Sequence, residues 1–431
     1  MHIYFSGIGG VGIGPLAEIA LDAGHQVSGS DLQESPMTKQ LRERGVDVQI
    51  GQDGSQIAAV HEKHPVDWFV YTAALSAGRP ELDFVQAQGI RATKRDELLA
   101  EIIAEKDLKL IAVSGTHGKT TTTGMLIWAM QKLGVRPSYS VGATLSFGPS
   151  GHFEAGSEYF VYECDEFDRN FLHFSPYVSV ITSIDHDHFD TYPTLESYQQ
   201  AFVQFLQQSE FSVLWEKDLR ALGQADVAAN YEAYDELMDL THIHLAGDHV
   251  RHNAFLVQKA LERLSDASVT VSVEEAVTPA QITSAINSFP GTSRRFEKLA
   301  DKLYSDYGHH PVEIAATLQM ARELSDHVVL VYQPHQNVRQ HEVRSQYTDC
   351  MELAEKIYWL PTYLSREDPN LDVLSPEQLS ENLTNKELVT VADLNDELWR
   401  SIQQHLQDGA LVLCMGAGSI DGWLREQLTS L

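Results

Sequence analysis

Three consecutive α/β domains, each built on a mostly parallel sheet, are what this sequence predicts. Two observations carry that prediction. Short apolar runs alternate with helical stretches along the whole chain, and twice a Gly-rich turn opens a helix directly after an apolar run. The turns are "GIGGVG" at Gly7–Gly12 and "SGTHGKTTTT" at Ser114–Thr123. Strands that alternate with helices pair in parallel and are covered on both faces. A length of 431 residues suits two or three domains of ordinary size.

The first block, residues 1–105, runs through "HIYFSGI", "QVSGSD", "VDVQIG", "DWFVYTAAL" and "IRATKRDELLAEII". The second, residues 106–290, opens at "LKLIAVSGTHGKT" and carries the apolar runs "YFVYECDEFD" and "YVSVITSIDHDHFD". The third, residues 291–431, has strands "HVVLVYQPH", "KIYWLP" and "GALVLCMGAGS" between helices such as "PVEIAATLQMAREL". No internal repeat or low-complexity linker interrupts them.

Charge excludes some functions. The chain has 31 basic and 61 acidic residues, a net charge of −30. Such a field repels nucleic acid and anionic membrane alike, so neither is expected as a partner. No stretch approaches the ~20 apolar residues of a membrane span. A strand begins at once, so no signal peptide is expected. Three scattered cysteines, Cys164, Cys350 and Cys414, argue against a disulfide framework and for a reducing, cytoplasmic setting.

The phosphate-binding signal is strongest in the second block. A Gly-rich turn at a helix N-terminus aims backbone N–H groups at an anion, a lysine adds charge, and a threonine hydroxyl can reach Mg²⁺. Gly115, Thr116, His117, Gly118, Lys119, Thr120 and Thr121 form the shorter pattern G-x-x-G-K-T, with Val113 where the longer loop has its first glycine. A capped helix with a Gly-rich entry would use similar residues. Two acidic clusters tip the balance. Glu163, Asp165, Glu166 and Asp168 follow one apolar run, and Asp185, His186, Asp187, His188 and Asp190 follow another. In a parallel sheet such strand ends share one edge, where carboxylates and ATP phosphates together suit Mg²⁺. The "HDH" spacing also admits a zinc or dinuclear hydrolase, a weaker reading beside Lys119.

The first block's "GIGGVG", with Asp31 at the end of the next strand, reads as a dinucleotide fingerprint. Taken alone it admits an NAD-dependent oxidoreductase or a turn that merely needs glycine. The third block offers Arg294 and Arg295 in "GTSRRFE", then Asp306, Tyr307, His309 and His310 in "SDYGHHP", then His335 and Arg339 in "YQPHQNVRQH". Adjacent arginines suit the charge on a transferring phosphoryl group.

The order of these motifs resembles the Mur ligase family, the ATP-dependent amide-forming enzymes of peptidoglycan precursor assembly, over nearly the whole chain. "GTHGKTTTT" and "DYGHHP" weigh most, and the likeness is greatest to the alanine-adding members. The resemblance implies a Rossmann-like UDP-binding domain, a P-loop-type ATPase domain with a mostly parallel central sheet, and a Rossmann-like C-terminal domain. It moves the first glycines from NAD to the UDP part of UDP-N-acetylmuramate, with Gly9, Gly10 and Gly12 at the diphosphate and Asp31 and Thr72 nearby. It places Lys119 on the ATP phosphates, Thr120 and Glu163 at a magnesium, and His188 at a second one. His252 and Asn253 would lie near adenine. Arg295 would reach phosphate and Asp306 ribose. Tyr307, His309 and Arg339 would surround the amino acid, with His309 as base or orienter. The implied reaction passes through an acyl phosphate, in a monomer or weak homodimer.

Three departures bear on the substrate. Alanine-adding members typically carry arginine after "QPH", where Gln336 stands here, leaving Arg339 alone. The second block is short between "SVLWEKD" and "HNAF". The wording after Glu163 in "ECDEFDRNF" also differs from the commoner one. A muropeptide-recycling relative with another amine, or a nucleotide-binding regulator without turnover, therefore remain as alternatives.

Overall fold

The computed structural model describes the chain except residues 73–79, 189–190, 224–226, 228, 267–276, 366 and 430–431. It divides into two compact units. The first comprises Met1–Asp239 and Ala254–Phe289, the second Leu240–Asn253 and Pro290–Leu431.

The first unit carries two sheets. One joins β1 (His2–Ser6), β2 (Gln26–Asp31), β3 (Asp47–Ile50), β4 (Trp68–Tyr71) and β5 (Arg91–Lys94) in the order β3-β2-β1-β4-β5, all parallel. The chain reverses direction across the sheet between β1 and β4, which places the Gly7–Gly12 turn at the switch point where open α/β sheets bind ligands. The other sheet comprises β6 (Lys109–Ser114), β7 (Ser138–Ser140), β8 (Gly151–His152), β9 (Tyr159–Glu163), β10 (Val178–Ile181), β11 (Ser212–Trp215) and β12 (Tyr231–Tyr234). Its order is β12-β11-β10-β6-β9-β7-β8, antiparallel only at β7–β8. The strand β12 was not among those expected. It is a half-exposed edge, "YEAY", lacking the apolar run that marks a central strand.

Strands β6, β9 and β10 are adjacent, with β6 between the other two. Register pairs Val113 with Glu163 and Ser114 with Ile181. The phosphate-loop candidate and both acidic clusters therefore leave neighbouring strands at one edge. A single apolar core runs from Ile3, Phe5 and Leu16 through Leu98 and Leu99 to Phe160, Phe171 and Phe202, so both sheets of this unit share it.

The second unit holds β13 (Glu297–Ala300), β14 (Leu303–Asp306), β15 (Val328–Tyr332), β16 (Lys356–Trp359), β17 (Val389–Val391) and β18 (Leu411–Met415). Their order is β13-β14-β18-β15-β16-β17, antiparallel only at β13–β14. Every residue of β15 and β18 is buried, and apolar clusters lie on both faces of the sheet. The three cysteines are free and buried, and no helix among the described residues is long and apolar enough to cross a membrane.

The segment after β10 is tied down by a buried acid. Asp218 Oδ1 accepts a hydrogen bond from the Ile184 N–H at 3.0 Å, while Oδ2 is buried without a partner. Burial pushes the Asp218 carboxyl up to about 6. A raised carboxyl stabilises the fold while protonated, and that contribution fades as pH rises from about 4 through about 6. Asp218→Asn keeps an acceptor for Ile184 and removes the charge. Its gain over wild type should grow across that window and level off near 2–3 kcal/mol above it, on the order set by ~2 pH units. Thermal unfolding of both proteins from pH 4 to 8 checks this; a constant difference would refute it.

Candidate functional site

The loop after β6 is drawn tight by its glycines. Gly115 has φ +129, and a Cβ there would meet Thr182 Oγ1 at 2.4 Å and the Ser183 backbone at 2.8 Å. Gly118, φ +80, caps the helix Lys119–Lys132 in a left-handed conformation. Its neighbours are fixed by the segment after β10. Thr116 Oγ1 donates to Asp185 O at 2.8 Å and lies 2.7 Å from Tyr198 Oη, and the His117 N–H donates to Ser183 Oγ at 3.0 Å. Of the threonines, Thr122 and Thr123 bond back to helix carbonyls. Thr120 instead donates to Glu163 Oε1 at 2.7 Å, and Glu163 Oε2 accepts from the Gly142 N–H at 2.6 Å.

Lys119 reaches both its own loop and the acidic run after β9. Its Nζ donates to Gly115 O at 2.6 Å and to Glu166 Oε2 at 2.8 Å, with Asp165 Oδ1 3.9 Å away. Burial opposes the ammonium, yet the Glu166 and Asp165 carboxylates outweigh it and raise the pKa. His188, in a left-handed conformation at φ 55, sets Nε2 3.4 Å from Glu166 Oε1. Burial disfavours its protonation, but Glu166 and Asp187 prevail and raise its pKa. Burial likewise opposes ionised Asp165, and Lys119, the Phe167 N–H and His188 together outweigh it, lowering the carboxyl. One ligand atom each from Asp165, Glu166 and His188 lies within 4.8 Å of the others.

The residues carried over for two magnesium ions thus fall into two groups, Thr120 with Glu163 and His188 with Asp165 and Glu166. Oxygen donors dominate both sets, which suits a hard cation such as Mg²⁺. In the sequence Glu166 and Asp165 are only members of an acidic run. Their spacing after Glu163 was visible, but which of them meets Lys119 depends on the turn beyond β9, where Asp168 and Arg169 are left-handed. Asp190 lies outside the described residues.

At the first turn, Asp31 Oδ2 accepts from the Gly9 N–H at 2.8 Å. The Gly10 N–H donates to Gly7 O, and those of Gly7 and Ile8 to Ser30 O. Asp31 therefore holds the turn itself. Gly12 lies under the Arg95 guanidinium, with Nη1 2.6 Å from where a Cβ would stand, and Thr72 lies against Gly7.

In the second unit, Asp306 is buried at the end of β14. Its Oδ2 accepts from the Phe296 N–H and its Oδ1 from the Gly308 N–H, each at 2.7 Å. Burial raises its carboxyl, opposed by Arg295 and these two bonds. The carboxylate therefore staples the arginine segment to the loop after β14. Arg294 and Arg295 both lie over the Tyr307 ring, their Cζ atoms 4.7 and 4.9 Å from its centroid.

Arg339, on the helix Asn337–Val343, donates from Nη1 to His309 Nε2. His309 Nδ1 lies 3.2 Å from Tyr307 O, which the tautomer protonated at Nδ1 satisfies as donor. Burial keeps His309 neutral, and Arg339 adds to that. With its Nε2 lone pair engaged, His309 orients Arg339, and the geometry favours this over the role of base. His335 is pushed down to about 4 by burial, with His309 and Arg339 adding to the shift. Gln336, φ 61, donates its N–H to Tyr363 O at 2.9 Å. His252 and Asn253 lie on the helix Asp248–Asp266, with His252 Nδ1 2.7 Å from Asp248 O and Asn253 buried.

Gly115→Ala should lower stability by ~1–3 kcal/mol, the strain of a disallowed backbone plus a backbone clash, and abolish ATP binding. Thermal unfolding and a fluorescent-nucleotide titration check both. Undiminished nucleotide affinity would show that the loop is not a phosphate cradle.

Comparison with known proteins accords with this geometry. Three family models match: "Mur ligase family, catalytic domain" over residues 2–107, "Mur ligase middle domain" over 113–235, and "Mur ligase, glutamate ligase domain" over 294–418. A UDP-N-acetylmuramate–L-alanine ligase of a Nocardioides species is 34% identical over 431 residues, covering 97% of this chain and 94% of the relative. The UDP-N-acetylmuramate–alanine ligase of Thermotoga maritima superposes with a TM-score of 0.73 at 22% identity, over 100% of this chain and 99% of that one. A murein peptide ligase of Psychrobacter arcticus gives 0.64 at 22% identity, over 100% and 98%. A loop whose lysine and threonine each meet a different carboxylate, and three family models that together match most of the chain, thus find their place together: this chain belongs to the Mur ligase family.

Proposed function

We propose that the chain joins an amino acid, L-alanine, to the lactyl carboxylate of UDP-N-acetylmuramate in an ATP-dependent, ADP-forming reaction of cytoplasmic peptidoglycan precursor synthesis. The observation that carries this reading is the pairing of Lys119 with Glu166 and of Thr120 with Glu163 at adjoining strand ends. Similarity to relatives named for this reaction supplies the substrates. For the domains we adopt residues 1–105, 106–290 and 291–431, binding UDP-sugar, ATP and amino acid in turn.

The chemistry follows from charge. A carboxylate oxygen attacks the γ-phosphorus and the bond to the β-phosphate oxygen breaks, giving an acyl phosphate and ADP. The amine then attacks the acyl carbon, loses a proton, and expels phosphate. Lys119 offsets charge on the phosphoryl oxygens, and Arg295 adds to it. Thr120 with Glu163, and Asp165 and Glu166 with His188, would hold magnesium, which draws charge from the same oxygens. His252 and Asn253 serve adenine, Asp306 supports the ribose side by shaping its loop, and Gly9, Gly10, Gly12, Asp31 and Thr72 form the UDP side. Tyr307 and Arg339, the latter steered by His309, receive the amino acid.

Gln336 favours a second reading, a peptide as the amine. A single guanidinium, Arg339, gives less bidentate grip on a free amino acid than two would. Phosphate release from ATP with UDP-N-acetylmuramate, Mg²⁺ and each of the twenty amino acids or a muramyl-type tripeptide decides between them. Release requiring L-alanine and lost in Lys119→Ala is expected. Release with the tripeptide alone moves the specificity, and none with any amine overturns the enzyme reading. Gln336→Arg should lower the KM for L-alanine about tenfold, the worth of one added charged contact, with kcat little changed.

A further inference from the structure

A cavity of about 180 Å³ in the first unit extends from Gly12, Leu16 and Leu99 to Glu163 and Asp165. Its wall includes three acidic side chains, Asp96, Glu163 and Asp165, and one cation, Arg95. Arg95 begins the helix Arg95–Glu105 directly after β5. It is held from behind. Its Nε lies 3.3 Å from Asp96 Oδ2, and Asp96, 2% exposed, accepts a 2.5 Å hydrogen bond from Tyr162 Oη. Its Nη1 extends over Gly12, 2.6 Å from where a Cβ would stand, so a side chain there would displace it. The fourth glycine of "GIGGVG", Gly12, thus leaves room for a guanidinium over the turn.

An acid that is to be phosphorylated must bring its own negative charge toward the end of this cavity marked by Glu163, because Glu163 is bonded to Thr120 of the phosphate loop. Two carboxylates already stand at that end. The cavity needs a cation to admit a third, and it contains one whose fork is fixed in place. We propose that Arg95 receives the substrate carboxylate before activation, with Asp96 and Tyr162 as positioning residues that hold its guanidinium. Leu16 and Leu99 supply an apolar wall for the uncharged part of the substrate. This assignment rests on the ligase reading above.

Two ligands separate the carboxylate from the diphosphate. UDP-N-acetylmuramate carries both anions, whereas UDP-N-acetylglucosamine lacks the lactyl acid. Calorimetric titration of Arg95→Met should show affinity for UDP-N-acetylmuramate falling about 10- to 100-fold, the loss expected of a charge-assisted pair. Affinity for UDP-N-acetylglucosamine should change less than about twofold. Arg95→Lys, which keeps the charge and loses the fork, should recover part of the loss, and Tyr162→Phe should fall between wild type and Arg95→Met. Should Arg95→Met fail to fold, Arg95→Lys decides by the same comparison. Equal weakening for both ligands would assign Arg95 to the diphosphate and overturn the proposal, as would no change for either. Wild-type turnover with UDP-N-acetylmuramate is measured alongside. An inactive wild type counts against the ligase reading, and an active one with unaltered Arg95 variants counts against this assignment alone.

Discussion

A buried ammonium needs carboxylates, and much of the first unit's binding edge is arranged around that need. Lys119 is 14% exposed at its side chain, and Glu166, which it contacts, is fully buried. Taking such a pair out of water costs several kcal/mol per ion, recovered only through close geometry and further hydrogen bonds. Those bonds are present. Lys119 also meets the Gly115 and Thr116 carbonyls, and Glu166 takes His188 as a second neighbour. Removing either partner would leave the other as an uncompensated charge, so the phosphate loop and the turn after β9 depend on each other. The left-handed backbones of Asp168, Arg169 and His188 are tolerated because these contacts over-determine the segment.

The second unit solves a similar problem with a neutral partner. Arg339 is met by the unprotonated nitrogen of a buried histidine, so its charge stays available to a ligand. The histidine is fixed in turn. Tyr332 Oη donates to His309 O at 2.9 Å and lies 2.8 Å from Tyr347 Oη, and Tyr347 donates to Gln340 Oε1 at 2.7 Å. Gln340 returns to His335 O at 3.0 Å, closing a buried polar chain around both histidine segments. Such a chain of buried polar contacts rigidifies what it encloses. Here it encloses the loop that presents Tyr307 and His309 and the helix that presents Arg339.

The two Gly-rich turns were read from the same physics and gave unequal results. "GTHGKTTTT" was informative because a lysine, a threonine and two acidic strand ends accompanied the glycines, and the strand order β10-β6-β9 brings those ends together. "GIGGVG" specified a tight turn and left its ligand open. Gly9 spends its N–H on Asp31, and Gly12 makes room for Arg95, a residue 83 positions away in the chain. Arg95 was visible in "ATKRDELLAEII" as a basic pair where a strand becomes a helix. No local pattern distinguishes it from a solvated arginine, because Tyr162, which holds its neighbour Asp96, is on a strand distant in sequence.

Alternation of apolar runs with helical stretches made the α/β class and the parallel sheets legible, since a strand covered on both faces must be apolar throughout. The order of motifs made the family legible too, because each motif reflects a local turn whose chemistry is set by a few adjacent residues. Which carboxylate meets Lys119, which nitrogen of His309 is engaged, and what lies over Gly12 were decided only on folding. Each depends on distances between side chains far apart in sequence, and such distances exist only once burial has brought the strands into register.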